Sequence, residues 1–392
     1  MRYSLQDLDI IQEVLECNET AMSTSQNTKT ELFEHRIASC LSSAFAVAVS
    51  SGTAALHMAL LSVNVGAGDE VLVDPLFEHG ALAALRCNAI PVFYDVNVDT
   101  YMTDVDNLKR KISPRTKAVI ITNVFGCAAD LPNIRDFCKR LKITLIEDCA
   151  HSIMSKCNGK HTGTYGDIGV FSFHSSLHLS LGGGGALVTS DKELYERIIC
   201  IRNQENLNPK DRVCSIYSRG WGYKISELVA AFGIIRLKNI DSIISKYKAI
   251  GNWITTNLRS PYIEPQKNYY GDHVFWKWAA RVNDKSLFDY LERTMKPNDY
   301  LKFGINCKMV VDDWVVFQNL RREDKFTCPY DCIFAGDNSK EPASLDNARA
   351  IAKQLLIIEI NSCTPIEKYK SIVDCIKVCI DEYLCNKKSD CV

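Results

Sequence analysis

The 392-residue sequence has almost no net charge, because 46 Lys and Arg against 47 Asp and Glu leave −1. That balance excludes a nucleic-acid or anionic-membrane partner held through bulk electrostatics. Small basic clusters such as Lys109-Arg110-Lys111 read as solvated helix faces. There is also no membrane-length apolar run. Thr53 to Val65 falls short of the ~20 residues a spanning helix needs and reads as a buried helix. The opening residues, Met1-Arg2-Tyr3-Ser4-Leu5, contain no signal-peptide core, so a cytoplasmic protein is expected. Internal repeats and low-complexity tracts are missing, which excludes solenoids and compositional linkers. The 17 cysteines include no paired Cys-x-x-Cys with histidine nearby. Without a secretory signal they form no expected disulfide framework, and most read as small buried hydrophobes. The spacings Cys328-x3-Cys332 and Cys375-x3-Cys379-x5-Cys385-x5-Cys391 are therefore not taken as a metal site.

What is present is a chain of 46% hydrophobic and 24% charged residues, long enough for two domains of unequal size. Short β-branched runs recur at 70–73, 91–96, 118–122, 143–148, 169–173 and 186–189, most of them separated by segments of helical length. These runs are apolar on both faces, the pattern of a mostly parallel sheet covered by helices on both sides. In such sheets ligands sit beyond the carboxyl ends of the strands. Helices are expected at 226–240 and 241–258, a strand at 273–282, and helices at 286–296 and 365–385. The expected organisation is a large domain over 1–240, with an N-terminal helical segment, and a smaller α/β domain over 241–392. Arg321 to Pro342, without a clear period, reads as a loop or lid.

Several residues could carry chemistry. Ser51-Gly52-Thr53 precedes the buried helix, where free amides and hydroxyls form either a phosphate cradle or an ordinary N-cap. Ser172, at a strand end, is a further phosphate donor or a satisfied core hydroxyl. Glu147-Asp148 ends an apolar strand and is followed by Cys149-Ala150-His151. A carboxylate there is costly to bury without a cation. That cation is either a protein side chain or a protonated pyridine nitrogen, which makes a ring an electron sink. Phe77 is either core or a platform for a flat ring.

The sequence resembles the DegT/DnrJ/EryC1/StrS family of pyridoxal-phosphate-dependent sugar aminotransferases. The motifs that carry the resemblance occur in one order: SGTAALHMAL (51–60), GDEVLV (68–73), Asp95 to Tyr101, TKAVI (116–120), FGxxxD (125–130), LIEDCAHS (145–152), GTYGDIGVFSFH (163–174) and GWGYKISELVAAFGIIRLK (220–238). Beyond about residue 300 the similarity is faint. The resemblance implies an α/β, fold-type I transferase fold and a homodimer with sites at the subunit interface. It also implies bound pyridoxal 5'-phosphate (PLP) or pyridoxamine 5'-phosphate (PMP), and a nucleotide-linked keto-sugar as substrate. By the same resemblance Phe77 matches the ring-stacking aromatic, Asp148 the partner of the pyridine nitrogen, and His151 the residue near the ring hydroxyl. Gly52, Thr53 and Ser172 match the phosphate cradle.

The pattern breaks at its chemical centre. Leu177 stands where the family's Schiff-base lysine is expected, Gly183 where a glutamate is, Asn123 where a histidine is common, and Gly222 where an asparagine is common. Leucine can neither hold the cofactor covalently nor move protons. Relatives with histidine at the lysine position are sugar 3-dehydratases that bind PMP without a covalent link. Here His178 is one residue away, which on a strand or helix changes the face. It is a candidate base or a structural histidine. Three readings follow: a divergent member binding PLP or PMP non-covalently and acting on a keto-sugar nucleotide in sugar or polysaccharide biosynthesis; a non-catalytic subunit, perhaps paired with an active homologue; or an ordinary aminotransferase with a relocated lysine, Lys156 or Lys160.

Overall fold

Seven strands form the main sheet of the computed structural model: β1 (Phe45–Val49), β2 (Glu70–Val73), β3 (Ile90–Phe93), β4 (Thr116–Thr122), β5 (Thr144–Asp148), β8 (Ile168–Ser172) and β9 (Gly185–Thr189). Two short strands, β6 (Lys156–Cys157) and β7 (Lys160–His161), make a separate hairpin. The structure describes residues 5–16, 28–203, 221–305, 308–313 and 344–389. The expected loop at Arg321 to Pro342, with Cys328, Cys332 and Cys391, lies outside them.

The strand order is β1-β9-β8-β5-β4-β2-β3. Only β9 opposes its neighbours β1 and β8; every other pairing is parallel. The alternation of side chains explains how both faces are used. Ala46, Ala48, Ala186 and Val188 pack with Phe33, Ile37 and Ile234 of helices Lys29–Leu41 and Glu227–Leu237 on one face. Val47, Val49 and Leu187 pack with Leu56, Ala59 and Ile198 of helices Gly52–Ser62 and Lys192–Asn203 on the other.

A second sheet, antiparallel throughout, has the order β10-β11-β13-β12, from β10 (Ile263–Pro265), β11 (Lys277–Val282), β12 (Leu301–Phe303) and β13 (Leu355–Glu359). Its Trp278, Ala280, Leu356 and Ile358 face helices Ile240–Asn257, Lys285–Met295 and Ile366–Ser389. Ala279 and Ile357, on the opposite face, join the core of the main sheet.

The strand expected over 273–282 begins only at Lys277. Phe275 is the cause: its φ is 51°, a left-handed value that no strand accommodates, and its ring stacks on His273 at 3.9 Å. The break redirects the next residue, Trp276. β1 and β13, absent from the expected strands, are an edge strand and an internal strand of the two sheets. Among the described residues no helix is long and apolar enough to cross a membrane.

Candidate functional site

The parallel strands end at one edge, and the expected ligand residues collect there because of it. Helix Gly52–Ser62 starts beside the end of β8. Its N-cap, Ser51, is extended and accepts the Ala54 N–H on Oγ at 3.0 Å. Gly52 approaches Ser172 so closely that a Cβ on it would lie 2.6 Å from the Ser172 Cβ. Gly185 is equally constrained, with a Cβ 2.6 Å from the Ser51 carbonyl carbon. Glycine at both positions lets the helix N-terminus sit on the strand ends, its first amides free to face an anion.

β5 delivers the two carboxylates to opposite faces. Glu147 is consumed by the protein: it accepts the N–H groups of Gly163, Tyr165 and Gly166, each at 2.7 Å. Asp148 faces a cavity of about 210 Å³. It accepts the Ala150 N–H at 3.0 Å and has no ion pair with a lysine or arginine among the described residues. Burial raises its pKa, against the Ala150 N–H and nearby His79, which lower it. A cation inside the cavity would complete this carboxylate, as expected of a partner for a protonated ring nitrogen.

The cavity is lined by Gly52, Thr53, Phe77, Asp148, His151 and Ser172, the residues expected to hold a ring and its phosphate. Leu177 lines it too, and no lysine does among the described residues. His151 lies edge-on to Phe77 at 4.7 Å and stacks on Trp276 at 3.8 Å. Burial first, then the charges of Lys277, His79 and His178, push His151 well below the ordinary histidine range, so its imidazole is neutral. Its buried Nδ1 has no hydrogen-bond partner among the described residues.

His178, a candidate base or a structural histidine, does not line the cavity. Its Nε2 donates to the Val274 carbonyl at 3.0 Å and its ring meets the edge of Tyr247 at 4.5 Å. Burial pushes its pKa down to about 4, with the Val274 bond opposing. Positions 177 and 178 lie in the loop after β8, so no strand or helix alternation sets their directions. Asn123 is buried, donating to Cys149 Sγ at 3.4 Å and accepting the Ala129 N–H at 3.0 Å. Lys160 stands over the Tyr165 ring at 4.7 Å, and neither it nor Lys156 reaches the cavity wall.

Sequence reasoning missed four wall residues: His79, His174, Ser176 and Trp276. The Trp276 indole N–H donates to the Ser176 carbonyl at 2.7 Å, tying the second sheet to the loop that carries Leu177. Strand alternation hides Trp276, because the break at Phe275 has no sequence signal. His174 was visible inside the SFH motif, and its Nδ1 sits 3.0 Å from Ser176 Oγ.

Known proteins resemble this chain in sequence and in fold. The model of the DegT/DnrJ/EryC1/StrS aminotransferase family matches residues 5–377. The GDP-perosamine synthase of Vibrio cholerae is 31% identical over 264 residues, 67% of this chain and 71% of that protein. The dTDP-3-amino-3,6-dideoxy-alpha-D-galactopyranose transaminase of Aneurinibacillus thermoaerophilus is 29% identical over 261 residues, 66% of this chain and 71% of its own. Among solved structures, S. venezuelae DesV in complex with a ketimine intermediate superposes with a TM-score of 0.80 at 24% identity, covering 97% of this chain and 94% of that one. The E. coli GDP-4-keto-6-deoxy-D-mannose-3-dehydratase with bound hydrated PLP superposes with a TM-score of 0.77 at 20% identity, covering 97% of each chain. These likenesses show the fold, the expected one of fold-type I PLP-dependent transferases. By the family match across nearly its whole length, the chain belongs to the DegT/DnrJ/EryC1/StrS aminotransferase family.

Proposed function

We propose that the protein binds PLP or PMP non-covalently in this cavity and acts on a nucleotide-linked keto-sugar. The observation that carries the reading is Asp148: a buried carboxylate with no lysine or arginine partner among the described residues, across a cavity from a glycine and hydroxyl cradle, with leucine where an amine would stand. When bound, the cofactor supplies an electron sink. Asp148 holds the ring nitrogen protonated, and the amides of Gly52 and Thr53 with the Ser172 hydroxyl hold the phosphate. Phe77 and Trp276 wall the ring from water. His79 and His174, both on the cavity wall, are the groups placed to take or give a proton at the substrate carbon. The relatives, a GDP-perosamine synthase and a dTDP-amino-sugar transaminase, support a nucleotide-linked sugar as substrate.

We propose a homodimer on the same family grounds, and a domain boundary near residue 240, where helix Ile240–Asn257 begins to pack on the second sheet. A second reading, a non-catalytic subunit that completes an active homologue's site, is favoured by one observation: the candidate base His178 is buried behind the wall. Among the described residues, neither Lys156 nor Lys160 lines the cavity, which gives the relocated-lysine reading no support.

The test is incubation with PMP and a panel of GDP- and dTDP-linked 4-keto-6-deoxy sugars, with product masses read directly. Loss of water from the sugar, or another change on it, supports the proposal. Gain of an amino group in repeated turnover with an amino donor returns ordinary transamination. A bound cofactor with no product from any sugar gives the non-catalytic reading.

A further inference from the structure

Asp74 immediately follows β2 in the loop that delivers Phe77, and it is only 3% exposed. Its Oδ1 accepts the N–H groups of Leu76 at 2.6 Å and Phe77 at 3.0 Å. This local turn fixes the backbone from which Phe77 projects into the cavity. The other oxygen, Oδ2, is fully buried and has no hydrogen-bond partner among the described residues. An exposed turn carboxylate faces bulk solvent there; this oxygen is buried, so as an anion it is poorly compensated.

A second buried carboxyl lies close by. β2 and β5 flank β4, so Asp74 and Asp148 rise from strand ends separated by one strand. The charge of Asp148 bears on Asp74, and both bear on Tyr94, whose hydroxyl donates to the Ile120 carbonyl at 2.8 Å. Among the described residues, His79 of helix His79–Arg86 bears on Asp148, and His151 lies beyond β5. The turn Val311–Asp313, with the buried Asp312, packs on the loop of Asp74, its Val311 N–H donating to the Pro75 carbonyl at 2.8 Å. His151 is held neutral by its burial.

We propose that Asp74 is a positioning residue of the ring site: a neutral carboxylic acid that fixes Phe77 and, by sharing one negative charge with Asp148, ties binding of a cationic ring to release of a proton. The proposal rests on the reading given under Proposed function. Two carboxyls in one poorly solvated place do not both ionise cheaply. Burial raises Asp74 to about 7, Asp148 adds to the rise, and the Leu76 and Phe77 N–H groups oppose it. A ring cation on Asp148 removes the repulsion. Asp74 then loses its proton to solvent, and the paired site gains one negative charge for the one positive charge that enters.

The effect on folding has a definite sign. Asp74 holds its proton more tightly folded than unfolded, so its stabilising contribution is complete below the ordinary value of 3.8 and is lost as pH rises through about 7. Asp74→Asn keeps the Oδ1 acceptor and removes the titration. Expected for the ligand-free full chain is a variant that gains melting temperature over the parent as pH rises from about 4 to about 7, then holds a constant gap. Isothermal titration calorimetry with PMP near pH 7, in two buffers of different ionisation enthalpy, should show the parent releasing more proton than the variant, by up to the roughly half proton that Asp74 still holds at that pH. A melting gap independent of pH overturns the proposal, and so do equal proton counts with tight binding, which leave the proposed function standing. A pH-dependent gap with no PMP binding by either protein overturns the ring-site role and the proposed function together. Should Asp74→Asn not fold, Asp74→Ser keeps an acceptor for the turn and takes its place in both measurements.

Discussion

Leu177→Lys should turn a protein that yields no borohydride-trapped cofactor in its cavity into one that yields close to one adduct per chain, mapped to residue 177. Leu177 is 7% exposed and lines the cavity in the loop after β8, so a longer, linear side chain from the same Cα enters the space where the cofactor aldehyde is proposed to lie. The phosphate cradle and Asp148 are already in place there. Burial lowers a lysine pKa and supplies the neutral amine that attack requires. Without an aldehyde the new cation has to be accommodated beside Trp276 and Val170, so the ligand-free variant should melt lower than the parent and recover on adding PLP. Reduction, digestion and peptide mapping read the result. Stoichiometric labelling of the parent at Lys156 or Lys160 would restore the relocated-lysine reading.

Asp148→Asn should cost PMP affinity about 2–5 kcal/mol, the loss found when one partner of a buried charge pair is removed. At ~1.4 kcal/mol per tenfold, that is on the order of 30-fold to several thousandfold in Kd. The amide retains the shape and can still accept the Ala150 N–H, so the turn after β5 should persist and the loss should not come from unfolding. In the variant the ring nitrogen faces a neutral amide and gives up its proton instead. The absorbance of the bound ring, followed against pH, separates these causes from a general weakening. Equal affinity in parent and variant would remove Asp148 from the site.

Much of this site was legible in the sequence, and the legible part shares one physical reason. Ser51 to Thr53, Phe77, Asp148 and Ser172 lie at the ends of local elements whose periodicity marks them, and a parallel sheet brings such ends to one edge. The motifs around them fixed the family. Only the family resemblance separated Asp148 from Glu147 in the sequence; the physical reason, the three amides of the loop at 163–166 that claim Glu147, is a tertiary fact. His178, left open between base and structural histidine, was settled no better by sequence, because its contacts, Val274 and Tyr247, are tertiary, nearly 100 residues away in the case of Val274.

Trp276 and the second sheet were the least legible. A left-handed Phe275 has no signature in the run from His273 to Val282, which reads as uninterrupted strand. β13 is a short apolar run, ambiguous between strand and helix until its partners β11 and β12 are known. Asp74 gave no signal either, since an acid before a proline is an ordinary turn residue until its burial is seen.

The central claim is that the cavity holds the ring phosphate without a covalent bond, and intact-mass spectrometry of the unmodified protein tests it most directly. The protein is incubated with PLP, freed of excess, and measured twice: under native conditions, and after borohydride treatment followed by denaturation. The expected native mass is that of two chains with two ring phosphates, and the expected denatured mass is that of the bare chain. A denatured chain that keeps one reduced cofactor would contradict the claim, and so would a native protein that never acquires it.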